Sequence, residues 1–233
     1  MAKKPQTQET ETSIDQLNEH MVDVAEKVQK NQKIIVWITV AITIIVALII
    51  GYVYLIHNPA VEKSNEAIGK ADVQLAIGND SVALAQYMNI ANDMSGDAKN
   101  RAALQSAIML YDKEDYQSAL DYLDKFSASE SVIGAAAFSL KGDCYANLDQ
   151  LDKAVSAFKD AISKSDKNPY YTPFFMSKLA RVYRAQGNFK AEAETYEEIQ
   201  KNYPAFAENY GIDIKKYVER AKIQSAAASA KSE

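Results

Sequence analysis

From Ile34 to Ile56 the chain runs for 23 residues without a charge, reading IIVWITVAITIIVALIIGYVYLI. As a helix this run reaches roughly 34 Å, against a bilayer hydrocarbon core of about 30 Å. Thr39 and Thr43 are compatible with it, because a hydroxyl bonds back to a carbonyl of the preceding turn. Trp37 near one end, with Tyr52 and Tyr54 near the other, suits aromatic belts at two interfaces. A buried core helix of this length would show a polar stripe, and this one shows none. A cleaved signal peptide would have a shorter apolar core, of about 7–15 residues, behind a short basic start. Here 33 residues precede the run. Residues 34–56 are therefore read as one transmembrane helix. Lys27, Lys30 and Lys33 stand before it, against Lys63 and Lys70 at a comparable distance after it. That bias, with a short leader and a long C-terminal domain, places the N-terminus in the cytoplasm, as in an uncleaved signal anchor.

The leader divides in two. Residues 1–12 are polar and read as disordered. Residues 13–33 read as an amphipathic helix, opened by Ser13 and Gln16 in a capping-box pattern. Ile14, Leu17, Met21, Val24 and Val28 alternate in spacings of three and four. This spacing serves a short coiled-coil seam, hence homo-oligomerisation, and equally a helix lying on the inner leaflet. Both readings stay open.

Composition removes several function classes. From Asn58 onward there are 21 Lys/Arg against 25 Asp/Glu, so no basic excess exists to neutralise a phosphate backbone, and nucleic acid is not an expected partner. Cys144 is the only cysteine, and an intrachain disulfide is impossible. The two histidines, His20 and His57, flank the apolar run, leaving none in the large domain for a zinc site or a catalytic triad. No nucleophile–base pair, phosphate loop or metal cluster stands out. No catalytic, metal-binding or cofactor-binding residue is expected, and the chain is not read as an enzyme.

After Pro59 the sequence becomes a series of helical segments separated by short polar turns. These turns are Gly78-Asn79-Asp80, Ser95-Gly96-Asp97, Lys113-Glu114-Asp115, Leu148-Asp149-Gln150, Ser165 to Asn168 and Gln186-Gly187-Asn188. No strand-like alternation intervenes. The segments repeat. Phe138, Gly142 and Tyr145, followed by Ala154, Phe158 and Ala161, share their spacing with Met176, Leu179, Ala180 and Tyr183, followed by Tyr196 and Pro204. A looser copy holds Ala103, Ala107 and Leu110, then Ala119 and Leu123. The offsets are 35 and 38 residues. A large apolar residue opens the second helix of each copy: Tyr116, Leu151 and Phe189. Small residues (Ala107, Gly142, Ala180) let paired helices approach, and a bulky neighbour fills the remaining space.

This spacing resembles the tetratricopeptide repeat, and residues 99–206 are read as three such repeats. The expected fold is all-α: a transmembrane helix followed by a tetratricopeptide-repeat solenoid. Lys141 stands where the family has Leu, and Glu192 where it has Ala, so looser packing is expected in the last pair. Residues 60–98 read as a degenerate hairpin or cap, with apolar stripes Val61, Ile68, Leu75 and Val82, Ala85, Met88. Residues 207–224 read as a capping helix, whose apolar face runs Phe206, Tyr210, Ile214, Tyr217, Val218, Ala221, and 225–233 as a disordered tail. Thr172-Pro173 reads as an N-cap followed by Pro in the first turn of the third pair. The nearby Tyr170, Tyr171, Phe174 and Phe175 serve either inter-repeat packing or a ligand-facing aromatic patch.

The resemblance implies a binding groove made by the first helix of each pair. Off the buried face lie Leu104, Ile108 and Tyr111 on the first pair, Asp143 on the second, and Lys178, Arg181 and Arg184 on the third. Such a groove is apolar at one end and basic at the other. Those three cations also fit an ordinary solvated face. Family members that clamp a C-terminal carboxylate use Lys and Asn on successive groove helices. Here those places hold Leu104, Ile108, Leu140 and Phe174, and Lys178 alone agrees, so that clamp is not expected. The overall layout is similar to the bacterial inner-membrane YfgM type, whose members assist the Sec translocon and periplasmic chaperones. The resemblance implies a scaffold in the bacterial inner membrane with a periplasmic repeat domain, and translocon, chaperone or envelope proteins as partners. The alternatives are a cytoplasm-facing membrane adaptor and a structural protein that self-associates through the leader.

Overall fold

The computed structural model describes residues 21–22, 29–94, 96–127 and 131–230, and it divides into two compact units, Met1–Ala60 and Val61–Glu233. Every element among the described residues is a helix.

In the first unit, α1 (Gln32–Tyr52) is followed by a π-helical turn, Val53–His57. Neither buries a single side chain, although nearly every one is apolar. Thr39 Oγ1 donates to the Ile35 carbonyl at 2.9 Å and Thr43 Oγ1 to that of Thr39 at 2.8 Å, so both hydroxyls are satisfied within the helix. One helical stretch among the described residues is long and apolar enough to cross a membrane, and it holds this run. The leader readings at 1–12, Ser13, Ile14, Leu17, Val24 and Val28 lie outside the described residues, and Met21 is exposed.

Ten helices follow: α2 (Asn58–Ala76), α3 (Asp80–Asp93), α4 (Gly96–Asp112), α5 (Tyr116–Leu123), α6 (Ser131–Asn147), α7 (Leu151–Lys164), α8 (Tyr171–Ala185), α9 (Phe189–Asn202), α10 (Pro204–Tyr210) and α11 (Ile214–Ser229). Pro59 is the second residue of α2, directly after the π-helical turn.

Four hairpin turns share one hydrogen-bond pattern. Asn79, Asp115, Gln150 and Asn188 each donate their N–H to the carbonyl five residues back (Gln74, Leu110, Tyr145, Tyr183) at 2.9 Å. The residue before each donor is left-handed: Gly78, Glu114, Asp149 and Gly187. This is the Schellman ending of a helix, made four times over. Asp115 and Asn188 then cap the next helix through Ser118 N and Ala191 N. The same turn also joins α2 to α3.

The small residues pack as their spacing requires. Ala103, Ala107, Ala119, Ala154 and Ala180 are all fully buried. A Cβ placed on Gly142 would lie 2.8 Å from the Phe158 ring, so only Gly admits that ring.

Several expectations are corrected. On α3 the buried face is Ala83, Tyr87, Ile90 and Ala91, while Val82 and Ala85 are exposed. Tyr87 reaches the core because its hydroxyl donates to Asp72 Oδ1 at 2.6 Å; burial and that carboxylate push its pKa up to about 12. Glu192 does not loosen the last pair: it is fully buried, and Arg220 of α11 meets it at 2.6 Å. The turn at α8 is capped by Asn168, whose Oδ1 accepts from Tyr170 N and Tyr171 N. Thr172 is instead buried, its hydroxyl bonded to that of buried Ser165 at 2.7 Å. The single capping helix is two, α10 and α11, because Gly211 turns left-handed at φ +61° and Asp213 starts a new helix through Lys216 N. Phe206, Ile214, Val218 and Ala221 are buried as expected, but Tyr210 is exposed. Finally, α11 extends to Ser229, so residues 225–229 are helical where a disordered tail is expected.

Candidate partner-binding groove

The first helices of the three pairs, α4, α6 and α8, line two clefts that share the Lys178–Asp143 ion pair. One cleft, about 460 Å³, is apolar: Leu104 and Ile108 from α4, Leu140 from α6, Tyr171 and Phe174 from α8, and Tyr210 from α10. Tyr170 joins its wall from the turn before α8. The other, about 470 Å³, holds Tyr111, Asn147 and Arg181.

Lys178 Nζ meets Asp143 Oδ2 at 2.5 Å, with both side chains 22% exposed. The ammonium also lies 5.0 Å from the centre of the Phe174 ring. Burial pushes the Asp143 carboxyl above its ordinary range, against the opposing pull of Lys178 and Arg181. Burial also raises the Tyr111 hydroxyl, with Asp143 adding to the effect. Asn147 Nδ2 donates to the Asp143 carbonyl at 2.9 Å and to Tyr111 Oη at 3.4 Å. Arg181 is exposed and makes no ion pair among the described residues.

The structure brings six of the seven candidate residues together. Leu104 and Ile108 line the apolar cleft, Tyr111 and Arg181 the polar one, and Asp143 and Lys178 both. Arg184 lines neither. The gradient differs from the expected one. Apolar and polar residues do not sit at opposite ends of the array; they form two bands side by side across all three helices. The reason is registry: Ile108 to Tyr111, Leu140 to Asp143 and Phe174 to Lys178 are each one step of three or four residues along a helix.

Lining residues absent from the candidate set include Leu140, Asn147, Tyr170, Tyr171, Phe174 and Tyr210. The aromatic cluster divides: Phe175 is buried in packing, while Tyr170, Tyr171 and Phe174 are exposed at the cleft. Leu140 and Phe174 carry a sequence signal, since both stand where a clamp would need polar donors. Tyr210 carries none, because its direction follows from the break at Gly211. A larger cleft, about 780 Å³, lies around the turn from Ser165 to Asn168, but its walls mix Asp166, Glu198 and Lys167 without one dominant sign. Cys144 is fully buried, and burial pushes its thiol up to about 12, far from a reactive thiolate.

Comparison with known proteins gives the same fold. The family described as "Tetratricopeptide repeat-like domain" matches residues 63–184, and "Tetratricopeptide repeat" matches 176–205. No curated protein matches the sequence. Among solved structures, a crystal structure of MamA is 19% identical, covers 72% of this chain and 95% of that one, and has a TM-score of 0.52. A second MamA crystal structure is 21% identical over 69% of this chain and 96% of that one, with a TM-score of 0.50. MamA 41-end from Desulfovibrio magneticus RS-1 is 16% identical over 61% and 76%, again with a TM-score of 0.50. At these identities the likeness is one of fold. The repeat spacing, the four shared turns and a family match over just over half of the chain lead to one conclusion: the protein belongs to the tetratricopeptide-repeat family.

Proposed function

We propose that this protein is a membrane-anchored scaffold that holds other proteins in the groove of α4, α6 and α8. The observation that carries this reading is the exposed apolar band. Ile108, Tyr170, Tyr171, Phe174 and Tyr210 are all exposed along one cleft, with Tyr170 at 60% and Tyr210 at 53%. Contiguous apolar surface of this kind gains about 25 cal/mol per Å² when a partner covers it. Scaffold function is also what a tetratricopeptide array generally performs, without catalysis.

The apolar helix α1 supplies the anchor, since it is long and apolar enough to span and buries none of its side chains against the described residues. Confinement to a membrane raises the effective concentration of a weakly binding groove near its partners. The lysine bias and the YfgM-like layout support an N-terminus in the cytoplasm and a repeat domain in the periplasm of a bacterial inner membrane. Translocon, chaperone or envelope proteins are then the clients.

Site-specific photo-crosslinking in intact cells tests function and topology together. A photoreactive residue at Ile108 or Phe174 should capture secretory and envelope proteins, and one at the exposed Lys159 of α7 should not. Capture of cytosolic proteins would select the cytoplasm-facing adaptor, and equal capture from all three positions would remove the groove as the site.

A further inference from the structure

We infer that the groove selects amphipathic segments whose apolar face is edged by carboxylate side chains, and that Arg181 and Tyr111 bind those carboxylates. This rests on the groove being the binding site, as proposed above, and adds the chemistry of what it accepts.

The polar band has a surplus of positive charge and of donors. Among the lining residues of its cleft, Asp143 is the one acid, and Lys178 already answers it at 2.5 Å. Arg181 lines the same cleft, is exposed and has no ion-pair partner among the described residues. Tyr111 Oη accepts from Asn147 Nδ2, which leaves its own proton free to donate. Asn147 has both amide hydrogens engaged, on Tyr111 and on the Asp143 carbonyl, and so fixes that tyrosine. The groove thus offers a guanidinium and a hydroxyl, while the chain from Asn58 onward has more acids than bases, 25 against 21. A local cation in an acidic domain favours an anionic partner and disfavours a basic one.

Geometry decides which carboxylate. A chain-terminal carboxylate would be met at one end of an apolar cleft. Here the polar band runs beside the apolar band across α4, α6 and α8, about 5 Å further along α4 and α6, and about 10 Å from Phe174 to Arg181 along α8. A ligand with Leu or Phe in the apolar cleft therefore presents its flank, not its end, to Arg181. An amphipathic helix with Asp or Glu along one edge has that shape.

The probe is a fluorescent amphipathic peptide with Leu and Phe on one face and Glu along one edge. Its anisotropy is read against the full chain in nanodiscs, with empty nanodiscs as baseline. Replacing the peptide's Glu by Gln should weaken binding to the wild-type chain by roughly 5–50-fold, and this difference should shrink at high salt. Arg181→Gln should bind both peptides alike, Arg181→Lys should keep the preference, and Tyr111→Phe should lose a smaller part of it. Amidating the peptide's C-terminus should change nothing. Equal binding of the Glu and Gln peptides to wild type, or a preference that survives Arg181→Gln, overturns the inference. So does a loss caused by amidation, which would point to a terminal carboxylate. If both peptides bind equally and Leu140→Asp abolishes binding of both, this inference alone fails. If neither peptide binds, the inference fails together with the groove reading.

Discussion

Ala154 and Glu192 occupy the same place in consecutive repeats, each four residues before a buried ring, Phe158 or Tyr196, and both are fully buried. The surroundings differ. Beside Ala154 the chain makes room by subtraction, since bare Gly142 lies against the Phe158 ring. Beside Glu192 it answers a charge. Arg220 reaches in from α11 at 2.6 Å, lies 4.9 Å from the centre of the Tyr217 ring, and Tyr217 stacks on Tyr196 at 5.2 Å. An interior repeat is covered by the next repeat, which offers only another helix face. The last repeat is covered by α11, a helix outside the repeat pattern, and there a carboxylate is tolerated because a guanidinium comes with it. The requirement at this position is therefore filled volume and matched charge, of which a small apolar residue is one solution.

Removing the guanidinium should separate the two solutions most clearly. Arg220→Met leaves Glu192 buried without its cation, and breaking such a pair from one side costs about 3–5 kcal/mol. Arg220 is 33% exposed, which places the expected loss near 3 kcal/mol. Chemical denaturation of the full chain in micelles, followed by circular dichroism, measures it. A loss under about 1 kcal/mol would mean that Glu192 finds solvent or another donor.

Next in size is Gly142→Ala in the second repeat. Its Cβ would meet Phe158 at 2.8 Å, and overpacking of this kind costs about 1–3 kcal/mol. The better helix propensity of Ala returns up to about 1 kcal/mol. Gly69→Ala on α2 is the matched control, because nothing lies within 4 Å of its Cβ and it should stabilise slightly. Similar melting shifts for the two variants would refute close approach at Gly142.

The smallest effect is expected when both charges go. Glu192→Ala with Arg220→Met restores the family's small residue and removes the buried pair. Glu192 Oε2 and Arg220 Nε find no hydrogen-bond partner among the described residues, so the native pair is imperfectly satisfied. The double variant should lie within about 1 kcal/mol of wild type. A loss as large as that of Arg220→Met alone would show that Arg220 acts through packing on Tyr217, not through its charge.

Legibility in the sequence followed the range of the interaction concerned. Turns were readable because their chemistry is local: the residues at Gly78, Glu114, Asp149 and Gly187 sit between apolar runs, and each ends its helix the same way. Ala107, Gly142 and Ala180 were readable because close approach demands small side chains at fixed spacing. The expected face of α3, Val82, Ala85 and Met88, lies nearly opposite the buried one, Ala83, Tyr87, Ile90 and Ala91, because apolar residues stand on both sides of this helix and only its packing partners select the inward side. The division of the aromatic cluster has a related cause. Tyr170, Tyr171 and Phe174 form one cluster with buried Phe175, and composition does not say which ring packs and which remains open.

The sequence by itself determined an apolar helix with no polar face, a run of helical pairs in tetratricopeptide spacing, and the absence of a basic excess. Each is a property of neighbouring residues and their period. Only the tertiary structure decided that Lys178 is matched by Asp143, 35 positions away, while Arg181 is not, and that Arg220 answers Glu192 across 28 positions. It also turned an expected end-to-end gradient into two parallel bands. The physical reason is that the sign and partners of a charge depend on which helices pack side by side, and a one-dimensional period fixes the faces of helices but not what each face meets.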